Sequence, residues 1–317
     1  MLNARKLLRP ELTIVVFLLL SFASGVLLSP NFLDIRFLLG STIYYTELGL
    51  IALCFSLLMT LGELDLSVAA NMTLVTCILG VLHRAGVGMG FLIPLGLLCG
   101  TLLALLNGVL VTVTGLPSLI ITIGTLSVYR GLAQVLVGDA AVSGFPEWFL
   151  RFGKITFFGI VPLPLIIIVV VAVILEILLK RNFWGRKISA VGLNSNAAKY
   201  SGVKVNRMKR ELFALQGFFC GAAALLSISR LEVVKYSIGT GGEMDVVTMV
   251  LLGGTAFTGG KGTCLGTLAA FFIIVFIRTG MRLATISSYV QIAVLGVLLI
   301  VIIIISNKLN MVFERNS

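Results

Sequence analysis

The stretch GGTAFTGGKGT, residues 253–263, decides between two folds. A phosphate-cradling P-loop would set it between a strand and a helix, inside an α/β nucleotide-binding domain. That motif needs G-x-x-x-x-G-K-[ST], so that backbone N–H groups face the phosphates. Counting from Gly254, the sixth position is Gly259, but the seventh is Gly260, where lysine must stand. Lys261 is followed by Gly262, so the magnesium-binding hydroxyl is missing as well. The other reading is a tight turn between two apolar helices. Glycine reaches φ > 0 without steric cost, which suits Gly259, Gly260 and Gly262 to the turn. Lys261 then stands at the carbonyl end of the preceding helix. Gly253, Gly254 and Gly266 supply small faces for close helix packing.

Composition favours the second reading. Hydrophobic residues make up 58% of the chain and charged residues 12%, with a mean hydropathy of +1.11. Soluble domains carry about 25% charge. Half that charge cannot cover a water-facing surface of this size, so the chain needs lipid. The five cysteines, Cys54, Cys77, Cys99, Cys220 and Cys264, form no CxxC pair and read as small buried hydrophobes. His83 is the only histidine, which removes histidine-based metal clusters and relays. No cofactor is expected. The apolar run that begins at Leu12 lacks a clear cleavage site and reads as a membrane helix, not a signal peptide.

A helix crosses the bilayer with ~20 mostly apolar residues. The sequence predicts an all-α polytopic membrane protein of about ten spans, within a range of eight to ten. They lie near 12–28, 43–61, 66–82, 90–113, 116–137, 161–179, 211–229, 243–257, 263–283 and 287–305. The third, fifth and eighth are short or carry glycine and polar residues, so they read as broken or re-entrant. Such backbone is tolerated at membrane depth where protein or a water-filled cavity surrounds it. Residues 1–317 form one transmembrane domain, since no loop is long enough to bury a core of its own. Residues 180–210 hold nine basic side chains and no acidic one. The positive-inside rule puts that segment in the cytoplasm. With ten spans both termini are then cytoplasmic, beside Arg5, Lys6, Arg9, Lys308 and Arg315. The net charge of +11 is therefore a topology signal. No soluble basic face with interleaved aromatics suggests a nucleic-acid partner.

Four stretches are candidates for function. In the loop of about 180–211, Ser195 can cap a short helix starting at Asn196, with Gly202 as its C-terminal stop. A capped helix between spans offers a docking element, and a plain positive anchor is the other reading. In GELDLSVAAN, 62–71, Glu63 and Asp65 are two residues apart and do not face each other on a helix. Asp65 suits an N-cap of the third span, and cation coupling stays open. GEMDV at 242–246 echoes GELDL at 62–66, as an internal repeat would. TGLPSLIITIGTLSVYRG, 114–131, carries Thr122, Thr125 and Tyr129. With Asn71 and Asn107 these either serve helix packing or line a path for a polar uncharged solute. Glu47 and Glu176 are acidic candidates inside spans.

These stretches resemble the membrane permease subunits of bacterial ABC importers for monosaccharides and small polyols, the ribose, rhamnose and autoinducer-2 type. Branched-chain amino acid permeases are more distant relatives. The likeness rests on GELDLSVAAN, LPSLIITIGTLSVYRG (116–131), GRKISAVGLNSNAAKYSGVKVNRMK (185–209) and GEMDVVTMVLLGGTAFTGGKGTCLGT (242–267), in order along the chain. It implies a transporter subunit of the bacterial inner membrane and no enzyme. Partners would be an ATP-binding subunit, a periplasmic or lipid-anchored sugar-binding protein, and a second permease copy or a sister permease. Asn194, Asn196, Ala197, Ala198, Ser201 and Gly202 would form the ATPase-docking loop. Asn196 stands where the family usually has Glu or Pro, and Glu63 and Ala69 stand where many relatives have Gly. An ion-coupled secondary transporter is the alternative, and it predicts charged residues at mid-span.

Overall fold

The computed structural model describes residues 10–28 and 30–314. Arg5, Lys6, Arg9 and Arg315, on which part of the orientation reading rests, lie outside them. The described chain is helical apart from turns and a two-stranded antiparallel ribbon, β1 (Thr156–Phe157) and β2 (Val161–Pro162). In chain order the helices are α1 (Pro10–Leu28), α2 (Ile35–Ser41), α3 (Thr46–Thr60), α4 (Val68–Arg84), α5 (Met89–Thr114), α6 (Ser118–Val137), α7 (Glu147–Phe152), α8 (Leu163–Arg181), α9 (Phe183–Leu193), α10 (Ser195–Tyr200), α11 (Val205–Leu231), α12 (Gly242–Leu252), α13 (Cys264–Leu283) and α14 (Ser288–Glu314). Among the described residues, six helical runs are long and apolar enough to cross a membrane: Ile35–Thr60, in which α2 and α3 join through a 3-10 turn, together with α5, α6, α8, α11 and α13. Ile14–Leu28, Val68–Arg84 and Ser288–Val301 are shorter apolar helices.

The all-α membrane architecture stands; of the spans read as broken or re-entrant, the fifth differs from that reading and the eighth is short as expected. The fifth expected span is an unbroken helix of 20 residues. The eighth is helical for only 11 residues, because α12 stops at Gly253 and Gly254 takes φ +85°. Eleven residues at 1.5 Å each span about half of a 30 Å hydrocarbon core. The 253–263 segment joins helix to helix with no strand before it, which excludes the P-loop.

Lipid tails are as apolar as leucine, so helices inside a membrane associate by close contact more than by the hydrophobic effect. The core shows how. α3 is buried along nearly its whole length. α5 and α11 meet through glycines: a Cβ on Gly100 would stand 2.5 Å from the Gly217 carbonyl oxygen, and one on Gly221 would stand 2.5 Å from that of Gly96. At the α12–α13 contact, a Cβ on Gly253 would stand 2.5 Å from the Thr267 nitrogen. α1 lies on α13, where Phe22, Phe32 and Phe276 meet edge-on with ring centroids 5.6–5.9 Å apart.

One buried carboxylate sets the start of α13. Glu176 of α8 accepts from Cys264 N at 2.6 Å, from Leu265 N at 3.2 Å and from the Thr263 hydroxyl at 3.2 Å. Those are the free N–H groups of a helix terminus, where negative charge is favoured. Lys180, one turn along α8, balances the charge at 2.6 Å. Glu176 is therefore a cap built from another helix, not a free intramembrane acid. Leaving such buried donors unpartnered costs about 1–3 kcal/mol each. Glu176→Leu is expected to lower the thermal midpoint of the purified protein in detergent, and Glu176→Gln, which keeps one acceptor oxygen, to recover part of the loss. A midpoint unchanged in Glu176→Leu would contradict the capping role.

Candidate functional site

Two groups of candidate residues lie in different places. The first is the helical hairpin α9–α10 at the basic end of the bundle. Asn182 caps α9 by accepting from Trp184 N at 3.1 Å, and Asn194 caps α10 by accepting from Ala197 N at 3.0 Å. The cap expected at Ser195 thus falls one residue earlier. Asn194 has the extended backbone an N-cap needs, and its side chain reaches three residues ahead as the cap geometry asks. Gly202, at φ +83°, closes α10. Its N–H donates to Lys199 O and that of Val203 to Ala198 O, both at 3.0 Å, which is the Schellman pattern.

The exposed face of this hairpin carries Asn194, Asn196, Ala197, Ser201 and Gly202. Ala198 does not belong to it: at 5% exposure it turns inward and seats α10 on the bundle. Tyr200, which the sequence reading left out, is 92% exposed. Between α9 and the turn after α10 lies a groove of about 380 Å³, lined by Phe183, Arg186, Lys187, Ala190, Ser201, Gly202 and Val203. Arg186 and Lys187 sit 5.5 and 4.4 Å from the Phe183 ring centroid, so their charges are held over an aromatic face.

The second group is a buried polar network inside the bundle. Asp65 accepts from the Ser67 hydroxyl at 2.6 Å and from Ser67 N at 2.8 Å. The Ser67 hydroxyl accepts from Asn107 Nδ2 at 2.8 Å. Tyr129 donates to Leu103 O at 2.8 Å and to Asn107 Oδ1 at 3.3 Å. Asn71 Nδ2 donates to Gly100 O at 3.1 Å. In α6, the Ser118 and Thr122 hydroxyls accept from the N–H groups of Leu64 and Leu66 at 3.0 and 3.2 Å. Asn71, Asn107, Thr122 and Tyr129 are all buried. They stitch the 62–67 connection to α4, α5 and α6. Asp65 does not cap α4. It folds the turn before it, and Ser67 occupies the N-cap position. Thr125 alone of the five is partly exposed.

The structure also shows an arginine cluster at the opposite end, which the sequence reading did not pick out. Arg230 Nε donates to Glu47 at 2.6 Å. Arg278 Nη2 donates to both Asp245 oxygens, at 2.6 and 2.7 Å. Arg282 donates to the Tyr45 hydroxyl at 2.7 Å and lies 4.6 Å from the Tyr44 ring centroid. Arg130 donates to Gly239 O at 2.7 Å and Ile238 O at 3.0 Å, and pairs with Glu243 at 3.4 Å. Charges inside apolar spans are costly unless paired. The signal in the sequence was the presence of opposite charges in separate apolar runs. The G-E-x-D echo does not extend to contacts. Glu63 pairs with Lys209 at the basic end, while Glu243 pairs with Arg130 toward the other end.

The family described as branched-chain amino acid transport system / permease component matches residues 37–303. A protein named autoinducer 2 import system permease protein LsrD, from Enterobacter sp. (strain 638), is 32% identical over 299 residues, covering 92% of this chain and 91% of its own. Its namesake from Yersinia enterocolitica is 33% identical over 300 residues, covering 93% and 90%. The one from Salmonella typhi is 31% identical over 300 residues, again covering 93% and 90%. No solved structure matches the chain. The match spans the buried network, the capped hairpin and the 253–263 turn, and on it the chain belongs to the branched-chain amino acid transport system permease family, as a multi-pass membrane permease and not an enzyme.

Proposed function

We propose that this chain is the pore-forming subunit of an ATP-driven importer in a bacterial inner membrane, carrying a monosaccharide or a similar small polyol. The single observation that carries the energy-coupling part is the capped, exposed hairpin α9–α10 at the basic end. The basic end is cytoplasmic by the positive-inside rule, the chain spans the membrane about ten times as one domain, and both termini are cytoplasmic. The hairpin docks a separate ATP-binding subunit through Asn194, Asn196, Ala197, Tyr200, Ser201 and Gly202, with residues 180–211 as the coupling segment. A binding protein delivers solute at the opposite end, and a second copy or a sister permease completes the pore. The solute class follows the printed names of the relatives, which import autoinducer 2.

The 253–263 stretch fails the P-loop spacing, so energy arrives from the partner. ATP binding draws the ATPase subunits together. The permease responds only so far as that event interacts differently with its inward- and outward-open states. The solute path runs along the partly exposed side of α6 at Thr125, Ser127, Gly124 and Gly131. Asn71, Asn107, Thr122 and Tyr129 form the back of that wall and hold its shape. The relatives give the ion-coupled alternative no support. The carboxylates inside the described helices are paired, Glu47 with Arg230, Glu176 with Lys180, Asp245 with Arg278 and Glu243 with Arg130, while Asp65, buried in the 62–67 connection, is held by Ser67.

Ala197→Glu places a charge on the exposed face of α10. The permease is expected to insert normally and to lose the ATP-binding subunit on co-purification; unchanged co-purification rules out docking at this face. Thr125→Val with Ser127→Ala is expected to reduce solute uptake while leaving stability within about 0.5 kcal/mol of wild type, as for other exposed changes. Thr122→Val should do the reverse, lowering stability by about 1–3 kcal/mol through the unpartnered Leu66 N–H. If Thr122→Val melts like wild type, the wall-support assignment is wrong.

A further inference from the structure

The docking hairpin is not hinged to the bundle by side chains alone. Its last turn crosses the end of α3 backbone to backbone. A Cβ on Gly192 would overlap both the Thr60 carbonyl oxygen and the Gly260 nitrogen. Thr60 O itself accepts from Gly260 N at 2.8 Å. Gly259 and Gly260, at φ +84° and +82°, bring the 253–263 turn into that crossing. A Cβ on Gly259 would stand 2.9 Å from Gly62 Cα, and one on Gly260 would stand 2.6 Å from Leu193 Cδ2. At Gly262 a Cβ would overlap the Thr60 hydroxyl. Lys209, where the hairpin leads into α11, is ion-paired to Glu63 beside the same crossing.

Three chain segments, 60–63, 192–193 and 259–262, therefore meet backbone to backbone at Gly192 and Gly259, with the Leu193 and Thr60 side chains packed beside the contact. Side chains absorb displacement by changing rotamer, and close-packed backbone does not. We propose that this glycine crossing transmits the movement of the docked ATPase. A push on α9–α10 passes through Gly192 to Thr60, hence to α3, and through the Gly260 hydrogen bond to α12 and α13. Gly192, Gly259 and Gly260 are positioning residues, acting through the Thr60 carbonyl. The far ends of the driven helices carry the arginine cluster: Glu47 at the start of α3, Arg278 and Arg282 at the end of α13. Displacement entered at the basic end reaches that cluster along two rigid helices. The inference rests on the docking reading and adds a route to the covalent one through α8 and α11.

The test uses the full importer, assembled with its ATPase and binding protein in proteoliposomes. Gly192→Ala is expected to insert and to keep the ATPase bound. Its solute uptake should fall roughly tenfold or more, with loss of the ATPase stimulation by loaded binding protein, as a displaced two-state equilibrium demands. Wild-type uptake and stimulation in Gly192→Ala would overturn the inference, and so would release of the ATPase, which would make Gly192 part of the docking face. A cross-link decides the matter where the alanine variant fails to insert. Leu193→Cys with Lys261→Cys, joined by a short bifunctional thiol reagent, is expected to transport as well as the unlinked pair, because the crossing moves as one body. Uptake stopped by the cross-link means the segments slide past each other, and the inference fails. The docking reading is judged separately by Ala197→Glu: if that variant releases the ATPase while Gly192→Ala transports normally, only the transmission route falls.

Discussion

The hydrogen bond from Gly260 N–H to Thr60 C=O, 2.8 Å long and lying under Gly192, is the contact on which the rest of this architecture turns. Inside a bilayer, backbone N–H and C=O groups that leave a helix must find partners within the protein. Between α12 and α13 the chain leaves helical geometry for some ten residues, and Thr60 O is one of the groups that receives it. The requirement for glycine follows from two facts together. Positive φ is needed at Gly259 and Gly260 to make the turn. No Cβ fits at Gly192, where the Thr60 and Gly260 backbones already occupy the space, nor without displacement at Gly260 and Gly262, where the side chains of Leu193 and Thr60 stand.

The same principle, that a polar group at membrane depth is either partnered or facing a polar cavity, organises the remaining parts. Glu176 answers the open N-terminus of α13 from a neighbouring helix. Ser118 and Thr122 answer the N–H groups of the 62–67 connection, where the chain leaves α3 before α4 begins. The arginines of α6, α11 and α13 answer carboxylates of α3 and α12. The result is a bundle with little slack. Its irregular segments are pinned to one another at the basic end, and its charges are paired toward the other.

Much of this was legible in the residues. The lipid-filled class followed from the low charge, and nine basic residues in 180–210 marked one end of the molecule. The helical nature of the ten apolar runs and the short capped helix before Gly202 were readable from period, caps and glycine. Less legible was the role of each polar side chain. Asn71, Asn107, Thr122 and Tyr129 have the composition of a solute path, and yet all four are buried against backbone. Residue type alone does not separate the two outcomes, since both need a hydrogen-bonding group away from lipid. The inward turn of Ala198 is illegible for a similar reason. A six-residue helix has one inward residue per turn, and which one it is depends on the bundle beneath it.

By itself, the sequence determined that this chain lives in a membrane, that it is built of helices, that one end is strongly basic, and that it holds no P-loop of its own. These follow from local quantities: charge per length, apolar run length and motif spacing. Only the tertiary structure decided which carboxylate meets which arginine, that Glu176 caps a helix it does not belong to, and that residues 60, 192 and 260 touch. Those contacts join positions far apart in the chain. They exist because helices packed through glycine bring distant backbones within hydrogen-bonding reach, and no periodicity along the sequence encodes which helix is the neighbour.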